Sequence, residues 1–231
     1  MASKYNYHAK AVAVAGALTR PLAIDLGEMA KTELIQTEGG YHSSRLENHR
    51  VHELFSIGAA YTQVVASEGP EGHFNTLAIA TIENLNVLDL VKIERLTARL
   101  VGHHRAVDFE TCEHPWVIPM GSTIENLRIA GRAVQITPDG GFTLDFDQPH
   151  SYDEWKKTQH HYATPGHAFQ VPGFGSITCR KLEVLPIPGR SPEKPHRLHR
   201  LAMLSLDLGS PVHGHIRFAM IDENGSPPKG L

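Results

Sequence analysis

The chain has 231 residues, 41% of them apolar and 20% charged, which is ordinary globular usage and excludes both a disordered chain and a disulfide-dense miniature scaffold. Lys and Arg number 22 against 25 Asp and Glu, and the resulting formal charge of -3 gives no general electrostatic ground for binding nucleic acid or an anionic membrane. No stretch reaches the roughly 20 apolar residues of a bilayer span, so no membrane span is expected.

Alternation with a period of two recurs along the chain, punctuated by Gly, Pro, Asn and Asp, and predicts an all-β chain. The N-terminal AKAVAVAGALTRPLAIDL, from 9 to 26, is broken by Thr19, Arg20 and Pro21 and alternates small and apolar residues, which reads as a strand and not a signal. A short helix is allowed over Met29 to Ile35. The Gly39-Gly40 turn leads into YHSSRLENHRVHELFSIGAAYTQVVASEG, in which Ile57, Ala59, Tyr61 and Gln63 are set on one face against Gly58, Ala60, Thr62 and Val64. Gly69, Pro70 and Gly72 then form a loop.

From Phe74 the ribbon FNTLAIATIENLNVLDLVKIERLTARLVGHH is rich in Ile, Leu, Val and Thr. Its second half has some helical spacing, at Leu88, Val91, Arg95 and Leu96, but Asn84, Asn86 and the β-branched residues favour strand. The ribbon also holds half of an internal repeat. TIENLNVLDLVKI starts at Thr81 and TIENLRIAGRAVQI at Thr123, with a fainter third trace in RLENHRV from 45 to 51. Such a repeat implies a strand-turn-strand unit with Ile82 and Ile124 in equivalent core positions and Asn84 and Asn126 in equivalent turns or bulges.

Asp139, Gly140 and Gly141 signal a turn before a strand that carries Phe142, Leu144 and Phe146 on one face. The segment 148–170 is an irregular, His-rich excursion, with a short helix allowed over Tyr152 to Lys157. VPGFGS, from 171 to 176, precedes a strand and is a turn, not a phosphate loop. RSPEKPHRLHR, from 190 to 200, is a solvated loop entering a strand. HRLAMLSLDLGSPVHGHIRFAMID is a hairpin turning at Gly209, Ser210 and Pro211, with Val212, Ile216, Phe218 and Met220 inward. DENGSPPKGL, from 222 to 231, is a polar surface tail. The expected architecture is one β-rich domain over 1–231, a β-sandwich or solenoid-like fold.

Sixteen histidines are many for this length, and imidazole is both a common metal ligand and the usual proton carrier near neutral pH. His213 and His215, two apart on a strand, share a face and can point to one divalent metal. His103 and His104, being adjacent, must face opposite ways. The excursion adds Asp147, His150, Asp153, His160, His161 and His167, so the candidate metal ligands are His213, His215, His160, His161 and His167, although no familiar ligand spacing joins them. Trp116 and Trp155, with Tyr152, Tyr162 and Phe169, could line a cleft beside them. Nucleophile-elbow, phosphate-loop and dinucleotide signatures are absent from the sequence. Cys112 and Cys179 lie in no CxxC pattern, and they either pair in an oxidising compartment or serve as small buried hydrophobes in a reducing one.

The succession of the small-residue N-terminal strand, IENLNVLDLVKIERLTARL, GSTIENLRIAGRAV, VPGFGSITCRKLEV and LAMLSLDLGSPVHGHIRFA resembles the choice-of-anchor P family of bacterial surface proteins. The resemblance covers most of the chain and implies a β-rich fold with a surface or interaction role. It offers no catalytic residues to carry over, and the abundance of histidine departs from the family's small-residue-rich pattern.

The expectation is thus a non-catalytic structural or interaction protein, self-assembling or surface-associated and homo-oligomeric, with no cofactor unless a divalent metal binds. The alternative is a ligand-binding or catalytic β-barrel of cyclase, isomerase or hydrolase type that uses histidines for metal or acid-base chemistry. The compartment expected is the cytoplasm, or the outside if a leader has been removed.

Overall fold

A computed structural model describes residues 5–21, 23–105, 116–134, 166–186 and 197–224. The described residues fold into fourteen strands and one 3-10 turn, Pro70–Gly72, arranged as two antiparallel sheets. The six-stranded sheet runs in the order β11 (His167–Val171), β12 (Gly175–Pro186), β13 (Arg197–Leu208), β14 (His213–Glu223), β1 (Tyr7–Arg20), β2 (Ile24–Gln36). The eight-stranded sheet runs β10 (Arg132–Ala133), β9 (Arg128–Ile129), β6 (Val91–Arg105), β5 (His73–Val87), β4 (Phe55–Gly69), β3 (Gly40–Val51). Within that sheet, β7 (Trp116–Ile118) and β8 (Thr123–Glu125) also pair with β6.

The sheets pack face to face, β1 on β4 and β5 and β14 on β5 and β6, around one apolar core. They do not close on each other, so the architecture is sandwich-like and the barrel of the alternative reading is not formed. The N-terminal β1 lies between β14 and β2, which joins the two ends of the described chain in one sheet.

Most predicted strands are present, including both halves of the Phe74 ribbon, the VPGFGS turn and the hairpin at Gly209 to Pro211. The helix allowed over Met29 to Ile35 is instead part of β2. Pairing with β1 along eleven positions satisfies its backbone groups, and that tertiary partner outweighs a weak local preference. The segment Tyr152 to Lys157, the turn at Asp139 to Gly141, the Phe142 strand and Cys112 lie outside the described residues.

The internal repeat has a physical basis, and the faint third trace belongs to it. Without gaps, Leu46-Glu47-Asn48, Ile82-Glu83-Asn84 and Ile124-Glu125-Asn126 occupy equivalent places on β3, on β5 and at β8, and the three asparagines have φ of 47°, 54° and 53°. Four residues further on, His52, Leu88 and Ala130 also have positive φ and open the hairpin turns. The turns are laced together by the main chain. Leu88 N–H donates to Leu54 O and Ala130 N–H to Leu90 O, each at 2.8 Å, so every unit after the first hangs its turn on the preceding one.

The left-handed asparagine reverses which side of the strand faces the core. Along β5, Phe74, Thr76, Ala78, Ala80 and Ile82 are buried, whereas beyond Glu83 and Asn84 the buried residues are Leu85 and Val87. The neighbouring strands switch at the same row: β4 between Ile57 and Ala60, β6 between Ile93 and Leu96. Register is unbroken through the switch, with Phe55 opposite Val87 and Ala60 opposite Ile82. This corrects the assignment of faces on β4. Ile57 lies on the core side together with Ala60, Thr62 and Val64, because the alternation slips at Gly58 and Ala59.

The six-stranded sheet has a matching row. Ala30 on β2, Ala219 on β14 and Arg180 on β12 have φ of 45°, 49° and 57°, and by register Ala13 and Met203 stand between them with no positive φ. In both sheets left-handed non-glycine residues thus fall on alternate strands, and Gly166, with φ of 77°, faces Arg180 just before β11. Asparagine tolerates this conformation through its short polar side chain, while other L-residues are strained by roughly 1–2 kcal/mol.

Two predictions follow from the burial and the dihedrals. Ile82→Ala should destabilise the fold by about 2–5 kcal/mol in chemical denaturation, and Ile124→Ala by less because its side chain is only partly buried. Asn84→Gly should be tolerated, whereas Asn84→Val should lower stability by about 1–2 kcal/mol, since a β-branched residue resists positive φ.

Candidate functional site

Polar side chains converge inside the sandwich, at the end remote from the repeat turns. Glu223 on β14 and His104 on β6 are each 1% exposed, and His104 Nε2 lies 3.1 Å from Glu223 Oε1. The Thr76 hydroxyl on β5 donates to the same oxygen at 3.1 Å. Opposite Glu223 on β13 stands the buried His199. Tyr5 covers the group: its ring stacks on Phe74 at 4.6 Å, meets Tyr7 edge-on at 4.7 Å and lies 5.0 Å from the His104 ring.

Gly102 makes room for the carboxylate. A Cβ there would fall 2.3 Å from Thr76 Oγ1 and 2.9 Å from Glu223 Oε1, inside any tolerable contact. Burial alone would push the Glu223 carboxyl up, but the charge and hydrogen bond of His104, the charge of His199 and the Thr76 hydroxyl outweigh it and hold the group below its ordinary value. Tyr5 is pushed the other way, by burial first and then by the negative Glu223. The cluster holds a proton donor and an ionised acceptor side by side, and it ties β14 of one sheet to β5 and β6 of the other.

Nothing in the residue pattern near Glu223 signals this site, because it lies at the start of the polar run DENGSPPKGL, second after Asp222. That run is not all tail. Asp222 and Glu223 are the last residues of β14 and both are buried. Arg200 Nε and Nη2 bond the two Asp222 oxygens at 2.7 and 2.8 Å. Register places Glu33, Lys10, Asp222, Arg200 and Glu183 in one row across five strands, alternating in sign on the outer face. Outward charge and inward carboxylate both have partners, so the strand continues where the sequence reads as tail.

Of the predicted metal ligands, the three that are described, His167, His213 and His215, are not brought together. His215 pairs with Asp207 across β13 and β14, Nδ1 to Oδ1 at 2.5 Å, on the row that also carries Ser176. His213 opens β14, its carbonyl accepting from the Thr19 hydroxyl. His167 starts β11, which ends the excursion earlier than expected, and its row is Cys179, Leu204 and Phe218, on the core side of the sheet. His167 and His215 therefore face opposite sides and cannot share one ion. Among the described residues no group of three His, Cys, Asp or Glu is placed to hold a metal.

Asp147, His150, Asp153, His160 and His161 lie outside the described residues, as do Tyr152, Trp155 and Tyr162 of the aromatic cleft. Phe169 packs against the core instead. His103 and His104 face opposite ways as expected: His103 turns outward to Asn75, Nδ1 to Oδ1 at 2.7 Å, and His104 inward to Glu223. Burial pushes the Cys179 thiol up to about 12, which leaves it an inert core group.

The depressed Glu223 carboxyl adds stability that is present above the unfolded-state value of about 4.3 and is lost as pH falls through the lower folded-state value. Urea denaturation from pH 7 down to pH 3 should show that loss, and Glu223→Gln should flatten it. His104→Leu, which strands a buried carboxylate, should cost about 3–5 kcal/mol at pH 7. The His213→Gln/His215→Gln double variant, at two half-buried positions outside the core, should lose at most about 1 kcal/mol in the same assay.

The family model for DUF8256, described as a domain of unknown function, matches residues 5–164, a span that reaches from β1 past β10 and holds His104 but not Glu223. No curated protein and no solved structure matches the chain. With more than two thirds of its length under that match, the chain belongs to the DUF8256 family.

Proposed function

We propose that this chain is a non-catalytic structural or interaction protein that works by contact with other polypeptides, through self-assembly or association at a surface. The observation that carries the reading is the laced hairpin repeat, which builds a long, regular sheet and leaves its first strand, β3, at the edge. The edge of the other sheet, β2, lies beside it, and Ile35 and Tyr41, 66% and 60% exposed, flank the turn that joins them. Large apolar side chains beside open strand edges are the usual marks of a contact surface. The resemblance to choice-of-anchor P surface proteins points the same way. Within the described residues, no helix is long and apolar enough to cross a membrane.

The second reading, acid-base chemistry by histidine, is favoured by one observation, the ionised Glu223 held against His104. Each of those groups is closed from solvent to within 1%, so no substrate reaches them without the sandwich opening, and a clamp between the sheets accounts for the same geometry. Light scattering over a wide concentration range, with metal analysis of untagged protein, separates the two readings. The interaction reading expects mass to rise with concentration and no stoichiometric metal. A strictly monomeric protein with bound Zn, Fe, Ni or Cu, or with turnover of a substrate, would replace it with the second.

A further inference from the structure

We propose that His73 and His103, side by side on the outward face of the eight-stranded sheet, form a binding site for one divalent transition-metal ion of the zinc, nickel or copper type. The proposal goes beyond the interaction reading and does not depend on it.

Alternation and register bring the two imidazoles together. Phe74 and Thr76 face the core on β5, so His73 and Asn75 face outward, and on β6 the inward His104 leaves His103 and Arg105 on the same outer face. Asn75 stands opposite His103 and His73 opposite Arg105, which makes His73 the diagonal neighbour of His103, within reach of a long side chain. The two rings have their centres 5.0 Å apart, and both residues are half-buried. That spacing is the one an ion requires. With metal–nitrogen bonds of about 2.0–2.1 Å and tetrahedral angles, two imidazoles on one zinc ion have their centres about 5 Å apart. The rings cross at 83°, an angle that chelation allows because each ring turns about its own nitrogen–metal bond.

The second observation is how His103 is held. Asn75 Oδ1 lies 2.7 Å from His103 Nδ1 and, as a carbonyl oxygen, accepts, so the proton sits on Nδ1 and the lone pair on Nε2. A hydrogen bond of this kind on one ring nitrogen fixes the tautomer and orientation with which the other binds a metal. The surroundings choose among ions. Among the described residues no Cys, Asp, Glu or third His joins the pair, so magnesium and calcium find none of the carboxylates they need, whereas imidazole suits zinc, nickel and copper. Arg105 adds positive charge to the same face, so bonds to nitrogen, and not attraction at a distance, hold the ion. Two protein ligands leave the remaining positions to water, and such an ion exchanges with solvent and has to be supplied. The metal content of the protein as purified therefore still separates the two readings above.

The test strips the untagged, full-length protein with a chelator and titrates it with zinc chloride by calorimetry, beside His73→Gln, His103→Gln, the double variant and Asn75→Ala. The intact protein is expected to bind one zinc ion that each single histidine variant binds at least about tenfold more weakly, with the double variant no worse than either single one. Asn75→Ala should keep the site but weaken it about tenfold. Excess magnesium should not compete. Because the chain carries 16 histidines, the site is also located on the intact protein, where zinc should slow diethyl pyrocarbonate modification of His73 and His103, read by peptide mass spectrometry. That readout needs no variant to fold. Zinc binding unchanged in both single variants, weakened in only one of them, or displaced by magnesium would overturn the proposal, as would zinc that leaves both histidines equally reactive.

Discussion

A strand whose side chains alternate strictly can face the core with only one set of residues, odd or even, along its whole length. The strands here run to fifteen residues and change sets partway, and they do so on one row across each sheet. A single strand could not make the change alone, because its neighbours would then present their polar sides to the core beyond the row. Left-handed residues on alternate strands, matched by Gly58, Ala13 and other residues on the strands between, let the whole sheet switch at once with its register intact. The burial of Ile57 with Ala60, of Ile82 with Leu85 and of Ile93 with Leu96 all depends on that shared row.

The two ends of the sandwich are held by different means. At one end the repeat turns hydrogen-bond to one another through the main chain, an arrangement indifferent to side-chain identity and compatible with turns as different as His52-Glu53-Leu54 and Leu88-Asp89-Leu90. At the other end one carboxylate, Glu223, takes hydrogen bonds from the opposite sheet, and a tyrosine from the N-terminal segment closes over it. A buried pair of this kind adds less to stability than its geometry suggests, because desolvation offsets the attraction, but losing either partner is costly. It therefore acts mainly to specify how the sheets dock.

These features bear on function by what they leave at the surface. The buried Glu223 carboxylate and its partners are enclosed, while the long edges, the exposed Ile35 and Tyr41 and, among the described residues, the unflanked first repeat unit lie outside. The proposed contact role rests on that division between a regular outside and a sealed polar group within.

Much of the fold was legible from the residues alone. Period-two patterning located the strands, Gly and Pro marked the turns, and the shared TIENL identified the repeat, because these signals act over a few residues of chain. The tertiary structure decided the rest. Whether RLENHRV was a third unit depended on the φ of Asn48, which sequence identity measures poorly. The face of Ile57 depended on a row set by neighbouring strands, and the helix allowed at Met29 gave way to pairing with β1. Glu223 read as part of a tail because nothing adjacent in the chain reveals that His104, 119 positions away, will meet it in the core. Local order follows from short-range periodicity, but the partner of a buried charge and the side of a strand that becomes core are set only when distant strands come together.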